Sequence, residues 1–279
     1  MQIITNTQEM QAITIKLKKQ NKTIGFVPTM GYLHIGHKSL ILNARHECDI
    51  VIVSIFVNPL QFGAHEDLGK YPRNISADTQ LCKSVNVDFL FIPNTNQLTD
   101  SILTVVSPRE LDKYLCGASR PGHFSGVCTI VSKLFNITQP DRAYFGKKDI
   151  QQLKIIEQMV YDLNFPIQII PVETHREDDG LAYSSRNSYL NQTERLAALI
   201  VPQVINLIHE QITLQLTRNE IIQNALNLIK TEKLAKIDYI EIVDDKTLTP
   251  TDNFKQNIIV AVAIYIGTTK LIDNRIIAV

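Results

Sequence analysis

Five short apolar runs divide the first part of the chain: TIGFVPT (23–29), DIVIVSIFV (49–57), VDFLFIP (87–93), DRAYFG (141–146) and FPIQIIPV (165–172). Segments with helical spacing separate them, among them Leu40, Ile41 and Ala44, and later Val127, Ile130, Val131 and Leu134. Strand and helix alternating at this rhythm require a parallel sheet with crossover helices. The runs are apolar on both faces, as a sheet covered on both sides demands. The expected architecture is therefore α/β with a doubly wound parallel sheet, whose ligands bind at the carboxyl ends of the strands near a switch point.

The rhythm changes after about His175. A polar, glycine-containing loop, HREDDGLAYSSRNSYLNQTE (175–194), precedes two long helical patterns at about 192–215 and 218–230. Three strand-like runs follow, at 237–244, 258–267 and 270–279, the last pair joined by a short turn around Gly267 and Thr268. With 279 residues the chain accommodates two domains of ordinary size. We expect a first domain over 1–174 of the nucleotide-binding type and a smaller α+β domain over 175–279.

Charge sets limits on partners. Lys plus Arg number 28 and Asp plus Glu 28, so no global attraction to nucleic acid or an anionic membrane surface is built in, and any anion site must be local. The N-terminus lacks a basic region followed by an apolar core, and the longest apolar run, IIVAVAIYIG (258–267), is too short to span a bilayer. A soluble, cytoplasmic protein without nucleic-acid or membrane partners is expected. Cys48, Cys82, Cys116 and Cys128 are widely spaced and form no C-x-x-C pair, which suits reduced, structural thiols.

The stretch GFVPTMGYLHIGHKSLILNAR (25–45) places His34 and His37 around a bare glycine where strand should become helix. Ordinary surface histidines, half of a metal site and a phosphate clamp are all open readings of H-x-x-H. A zinc site needs a third ligand, and His46 falls on a different helical face from His37. The clamp has a physical basis: a helix N-terminus offers unpaired N–H groups and a positive dipole end, Gly36 keeps side-chain bulk away, and both imidazoles can donate.

Other stretches supply matching groups. In SIFVNPLQFG (54–63), Asn58 and Gln61 follow the second strand, and a carboxamide offers both donor and acceptor to a hydroxy-carboxylate. YFGKKDIQQL (144–153) repeats the strand, glycine, helix design, with Lys148 and Asp149 in the first turn and Gln152 one turn on. A lysine near a helix N-terminus disfavours the helix, which hints at a separate role. SSRN (184–187) brings two hydroxyls and a guanidinium, suited either to phosphate oxygens or to capping a helix.

Taken in order, PTMGYLHIGHKSLI, FVNPLQF, YPRNISAD, RPGHFSGV, LFNITQPDRAYFGKKDIQQL and DGLAYSSRNSYL resemble the pantoate–β-alanine ligase family of the HxGH nucleotidyltransferases, over nearly the whole chain. The resemblance implies a Rossmann-like fold of the HxGH type and a cytoplasmic homodimer. It also implies a two-step reaction in which pantoate and ATP give pantoyl adenylate, and β-alanine then yields pantothenate and AMP. It assigns ATP to Met30, Gly31, Tyr32, Leu33, His34, Ile35, Gly36 and His37, with His34 and His37 on the phosphates. A second ATP stretch comprises Gly146, Lys147, Lys148 and Asp149, with the lysine on phosphates and the aspartate on ribose. Tyr183, Ser184, Ser185 and Arg186 match a segment closing over the triphosphate, and His175 a backbone contact to adenine. Gln61 and Gln152 match the pair holding pantoate, with Asn58 beside them, and Asp78 an acidic residue associated with Mg2+.

Two positions depart from the family's usual residues: Lys147 replaces a common glutamate and Tyr183 a methionine or leucine. Neither removes a group the chemistry needs. A carboxylate attacking phosphorus is already ionised at neutral pH, so such a site should stabilise oxyanions rather than supply a strong base. His37, His34, Lys148 and Arg186 are the residues expected to do so. An adenylyltransferase for a phosphorylated precursor would need further basic groups where FVNPLQF offers amides. A class I aminoacyl-tRNA synthetase conflicts with the zero net charge.

Overall fold

A computed structural model of the chain describes residues 1–63, 66, 68–100 and 102–278. The chain divides into two compact units. The first comprises Met1–Arg109, Arg120–Lys147 and Gln152–Glu173, and the second Glu110–Ser119, Lys148–Gln151 and Thr174–Val279.

In chain order the elements begin with strand β1 (Gln2–Ile4), helix α1 (Thr7–Lys19), β2 (Ile24–Thr29), α2 (Ile35–Glu47) and β3 (Ile50–Ile55). Then come α3 (Ile75–Ser84), β4 (Phe89–Phe91), α4 (Thr95–Thr99), α5 (Leu115–Ser119), α6 (His123–Thr138), β5 (Arg142–Gly146), α7 (Ile150–Asp162) and β6 (Gln168–Val172). Among the described residues the strands of the first unit form one sheet in the order β1-β4-β3-β2-β5-β6. Every neighbouring pair is parallel. The chain runs outward from β2 through β3 to β4, then adds β5 and β6 on the other side of β2. The order therefore reverses beside β2, with Phe26 paired to both Ile52 and Ala143, which is where an open α/β sheet leaves its ligand crevice.

The expected burial on both faces is present: Ile24, Phe26, Val27, Val51, Ile52 and Val53 are all fully buried. Helix α6 is buried nearly all round, and Phe135 meets the rings of Phe26, Phe145 and Phe165 edge-on. Each such buried ring contributes roughly 1.5–3 kcal/mol of transfer free energy. Two elements here, β1 and α1, escaped the sequence reading. The strand has three residues, and Met10 and Thr14 are the buried residues of the helix, too few for a clear helical period.

The second unit contains α5, α8 (Gln192–Ala197), α9 (Ile200–Thr213), α10 (Arg218–Ile229), β7 (Ala235–Asp244), β8 (Ile258–Ile266) and β9 (Thr269–Ile277). The three strands form an antiparallel sheet, β7-β8-β9. Val279, included in the expected last strand, lies outside the described residues. Gly267 turns the chain between β8 and β9 at φ 57°, and any Cβ there would sit 2.4 Å from Glu194 Oε1. The helix expected over 192–215 is interrupted after Ala197. Pro202 explains the break, because it has no N–H to give back to Ala198 but is tolerated in the opening turn of α9. By length and composition Gln192–Thr213 could cross a membrane. Its apolar character is accounted for by Val201, Val204, Ile205 and Ile208, which pack into the core with β8. The four cysteines are buried thiols, none of them in a disulfide among the described residues, and burial pushes the Cys82 thiol up to about 12.

Candidate active site

The junction between β2 and α2 is built by two histidines that cap each other's backbone. His34 is the N-cap of α2, and its Nδ1 accepts from Gly36 N at 3.1 Å. His37 Nδ1 accepts from His34 N at 3.3 Å, and the ring centroids are 4.1 Å apart. An imidazole accepting at Nδ1 carries its proton on Nε2. The cap thus fixes both rings as Nε2–H donors at a helix N-terminus, the arrangement an anion requires.

The preceding loop is bent by Gly31 and Tyr32, at φ 83° and 52°. Two successive left-handed residues turn the amides of Tyr32 and Leu33 onto the Asp78 carboxylate, at 2.9 and 2.7 Å. Gly31 is required twice over, by its φ and because a Cβ would lie 2.9 Å from Ile55 Cγ2. Asp78 is 2% exposed. Burial pushes its carboxyl up, with the two amides pulling the other way.

Past β3, Asn58 caps a short turn over Pro59–Gln61. Its Nδ2 donates to Gln61 Oε1 at 3.0 Å and to Gly126 O at 3.1 Å, while its Oδ1 accepts from Leu60 N at 3.0 Å. Gln61 Nε2 lies 3.2 Å from Met30 Sδ. The structure thus brings Met30, Asn58 and Gln61 together. Asn58, 3% exposed, uses both donors inside the protein. A Cβ on Gly126 would sit 2.2 Å from Leu60 O, so α6 approaches this turn as only glycine allows.

A buried-edge ion pair supports the same turn. Arg120 Nε and Nη2 bond Glu66 Oε1 and Oε2, each at 2.6 Å. Arg120 Nη2 also reaches Gln61 O at 3.2 Å, and His123 Nδ1 lies 2.7 Å from that carbonyl. Burial would raise the Glu66 carboxyl, but the Arg120 hydrogen bonds and charge outweigh it and hold the group below its usual range. A depressed folded value makes the pair's stabilisation complete above the unfolded pKa, about 4.3, and lost as pH falls through the folded one. In urea titrations the stability gap between the protein and Glu66→Gln should therefore be largest near neutrality and close on acidification. A gap unchanged at low pH would assign it to packing instead.

Gly146 ends β5, the neighbour of β2, and Lys147 follows it. Lys147 is ion-paired with Glu173, so its departure from the family pattern adds a paired charge rather than a lone one. Gln152 is half-buried on α7.

In the second unit Lys148 and Asp149 lie in a 3-10 turn over Lys147–Asp149, just before α7 rather than in its first turn. Asp149 is exposed. Asn274 Nδ2 on β9 donates to the Lys148 carbonyl at 2.8 Å. Next to Asn274, the fully buried Asp273 carboxylate receives Arg176 Nη1 and Nη2 at 2.7 and 2.9 Å. His175 O accepts from Tyr183 N at 3.0 Å, and their rings are 5.4 Å apart. Ser184 caps the 3-10 turn Ser185–Tyr189, accepting from Arg186 N at 3.2 Å. Gln151 holds the 110–119 segment through Leu111 O, Tyr114 O and Gly117 N.

Sequence reading missed Glu66, Arg120, His123, Arg176, Asp273 and Asn274 as supports of these groups. RPGHFSGV and the last strand were the available signals, but pairings such as Arg120 to Glu66, 54 residues apart, leave no local pattern.

The chain matches the family profile described as Pantoate-beta-alanine ligase over residues 2–276. It is 50% identical over 277 residues to a pantothenate synthetase of a Sulfurihydrogenibium species, covering 98% of this chain and 99% of that one. A Thermosipho africanus pantothenate synthetase is 47% identical, with coverage of 99% and 100%. Among solved structures, pantothenate synthetase from Thermus thermophilus superposes with TM-score 0.92 at 38% identity, covering 99% of both chains. The pantoate-beta-alanine ligase of Francisella tularensis, in complex with beta-gamma ATP and beta-alanine, gives 0.83 at 39% identity, covering 99% of this chain and 97% of that one.

Proposed function

The chain belongs to the pantoate–β-alanine ligase family, and we propose that it joins (R)-pantoate to β-alanine through a pantoyl-adenylate intermediate. A pantoate carboxylate oxygen attacks the α-phosphorus of ATP, and the bond to the departing pyrophosphate breaks. The amine of β-alanine then attacks the acyl carbon, the C–O bond to AMP breaks, and pantothenate forms.

The observation that carries this reading is the mutual cap of His34 and His37, which leaves an Nε2–H on each ring at the head of α2. Negative charge grows on the phosphoryl oxygens and on pyrophosphate during the first step, and preorganised donors lower its energy. We assign that task to His34, His37, Lys148 and Arg186, with Ser184 and Ser185, and assign Asp149 to ribose. Met30, Gly31, Tyr32, Leu33, Ile35, Gly36, Gly146, Lys147, His175 and Tyr183 complete the proposed nucleotide contacts. Gln61 and Gln152 hold pantoate, and Asn58 orients Gln61. For the second step, alignment of amine and mixed anhydride supplies the acceleration.

We place Mg2+ on the phosphates of ATP rather than on Asp78. Asp78 is buried with an amide on each oxygen, and among the described residues no three His, Cys, Asp or Glu side chains converge. Magnesium commonly takes its ligands from water and substrate phosphates. A homodimer in the cytoplasm, acting on small molecules, completes the proposal.

The test is pyrophosphate release by the purified protein with ATP and Mg2+, with and without pantoate, followed by addition of β-alanine. Release that needs pantoate, and AMP and pantothenate formed on adding β-alanine, are expected. Release indifferent to pantoate would point to another acceptor for the adenylyl group.

A further inference from the structure

Arg120, just ahead of α6, and His123 and Gly126 in its first turns converge on the turn that carries Gln61. Arg120 Nη1 lies 2.9 Å from His123 Nε2. A guanidinium has only donors, so Nε2 must accept and His123 must be neutral with its proton on Nδ1. That proton then points into the 2.7 Å contact with Gln61 O. Glu66 holds the guanidinium by two parallel bonds of 2.6 Å, which fixes its plane and therefore which nitrogen faces the ring. His123 is 9% exposed, and the Arg120 and Glu66 side chains are 17% and 26% exposed, so water competes weakly for these bonds.

One helical turn further on, Gly126 O accepts from Asn58, whose same nitrogen donates to Gln61 Oε1. Helix α6 thus holds Gln61 at both ends, its carbonyl through His123 and its carboxamide through Asn58. We infer that His123, kept by Arg120 and Glu66 in its Nδ1–H form, is a positioning residue that aims the Gln61 carboxamide at pantoate. The inference rests on the proposed role of Gln61 and extends it to a residue that touches no reactant.

Asparagine can place an N–H where His Nδ1 stood, glutamine places one near Nε2, and leucine offers none. In His123→Leu and His123→Gln, KM for pantoate should rise roughly tenfold to a hundredfold, the scale of a misplaced substrate group. Their kcat and KM for ATP should stay within about threefold, and His123→Asn should recover the pantoate KM. An unchanged pantoate KM in His123→Leu, or no recovery in His123→Asn, would overturn the inference.

A second measurement needs no activity. In the 15N-histidine-labelled wild type, one of the seven histidines, identified by its loss in His123→Asn, should show an Nδ1–H, Nε2-acceptor ring. An Nε2–H ring or a doubly protonated one would overturn the clasp. Wild-type protein without pantoate-dependent pyrophosphate release would instead defeat the assignment of Gln61, and the tautomer would still decide the His123 geometry.

Discussion

Replacing His37 with asparagine lowers pantoate-dependent pyrophosphate release by roughly tenfold to a thousandfold, the range for losing one transition-state donor. Asparagine retains an acceptor near the position of Nδ1, where His37 receives the His34 amide, and deletes only the Nε2–H. Helix α2 therefore keeps its cap, and the thermal midpoint should hardly move. His37→Ala loses both groups, so it should show the same rate defect together with about 0.5–2 kcal/mol of lost capping stability. Stopped-flow detection of pyrophosphate and a thermal melt of each variant separate the two effects. Equal rates in wild type and His37→Asn would remove this histidine from the chemistry.

Arg176→Leu should be the most damaging substitution away from the proposed chemistry. It removes both guanidinium bonds from the Asp273 carboxylate, whose side chain is fully buried, and leaves it the Asn274 amide as a donor. Breaking one side of such a pair costs about 3–5 kcal/mol. The adjacent Asn274 holds the Lys148 carbonyl, so the same variant should lose adenylation rate even where it remains folded. Replacing both partners with apolar residues should restore much of the stability, because no buried charge is then left alone. Urea titration of the single and double variants tests this. A loss below about 1 kcal/mol in Arg176→Leu would mean that solvent reaches Asp273 and screens it.

Those two sites differ in how much of them the sequence discloses. The His34 to His37 cap is local: strand, glycine and helix lie within one short stretch, so spacing alone indicates where the chain turns and which groups lie at the helix end. The alternation of strand and helix was legible for the same reason, since each period repeats within a few residues. The break between α8 and α9 was not read, because the hydrophobic pattern runs straight through it, although Pro202 and its lack of an N–H account for it. Lys148 was placed one turn too far along, because a 3-10 turn absorbs Lys147–Asp149 before α7 begins. The supports of the site were hidden for a different reason. Asp78 reaches the Tyr32 amide across 46 residues, and Asn274 reaches Lys148 across 126. Such contacts follow from the topology of each unit, and no periodicity records them.

The central claim is that the carboxylate of pantoate becomes bonded to the α-phosphorus before the amide forms. Pantoate labelled with 18O in both carboxylate oxygens, turned over with ATP and β-alanine and read by mass spectrometry of the products, tests that most directly. Transfer of one labelled oxygen to AMP, with the other kept in the pantothenate amide, is the expected result. AMP free of label would contradict the adenylate.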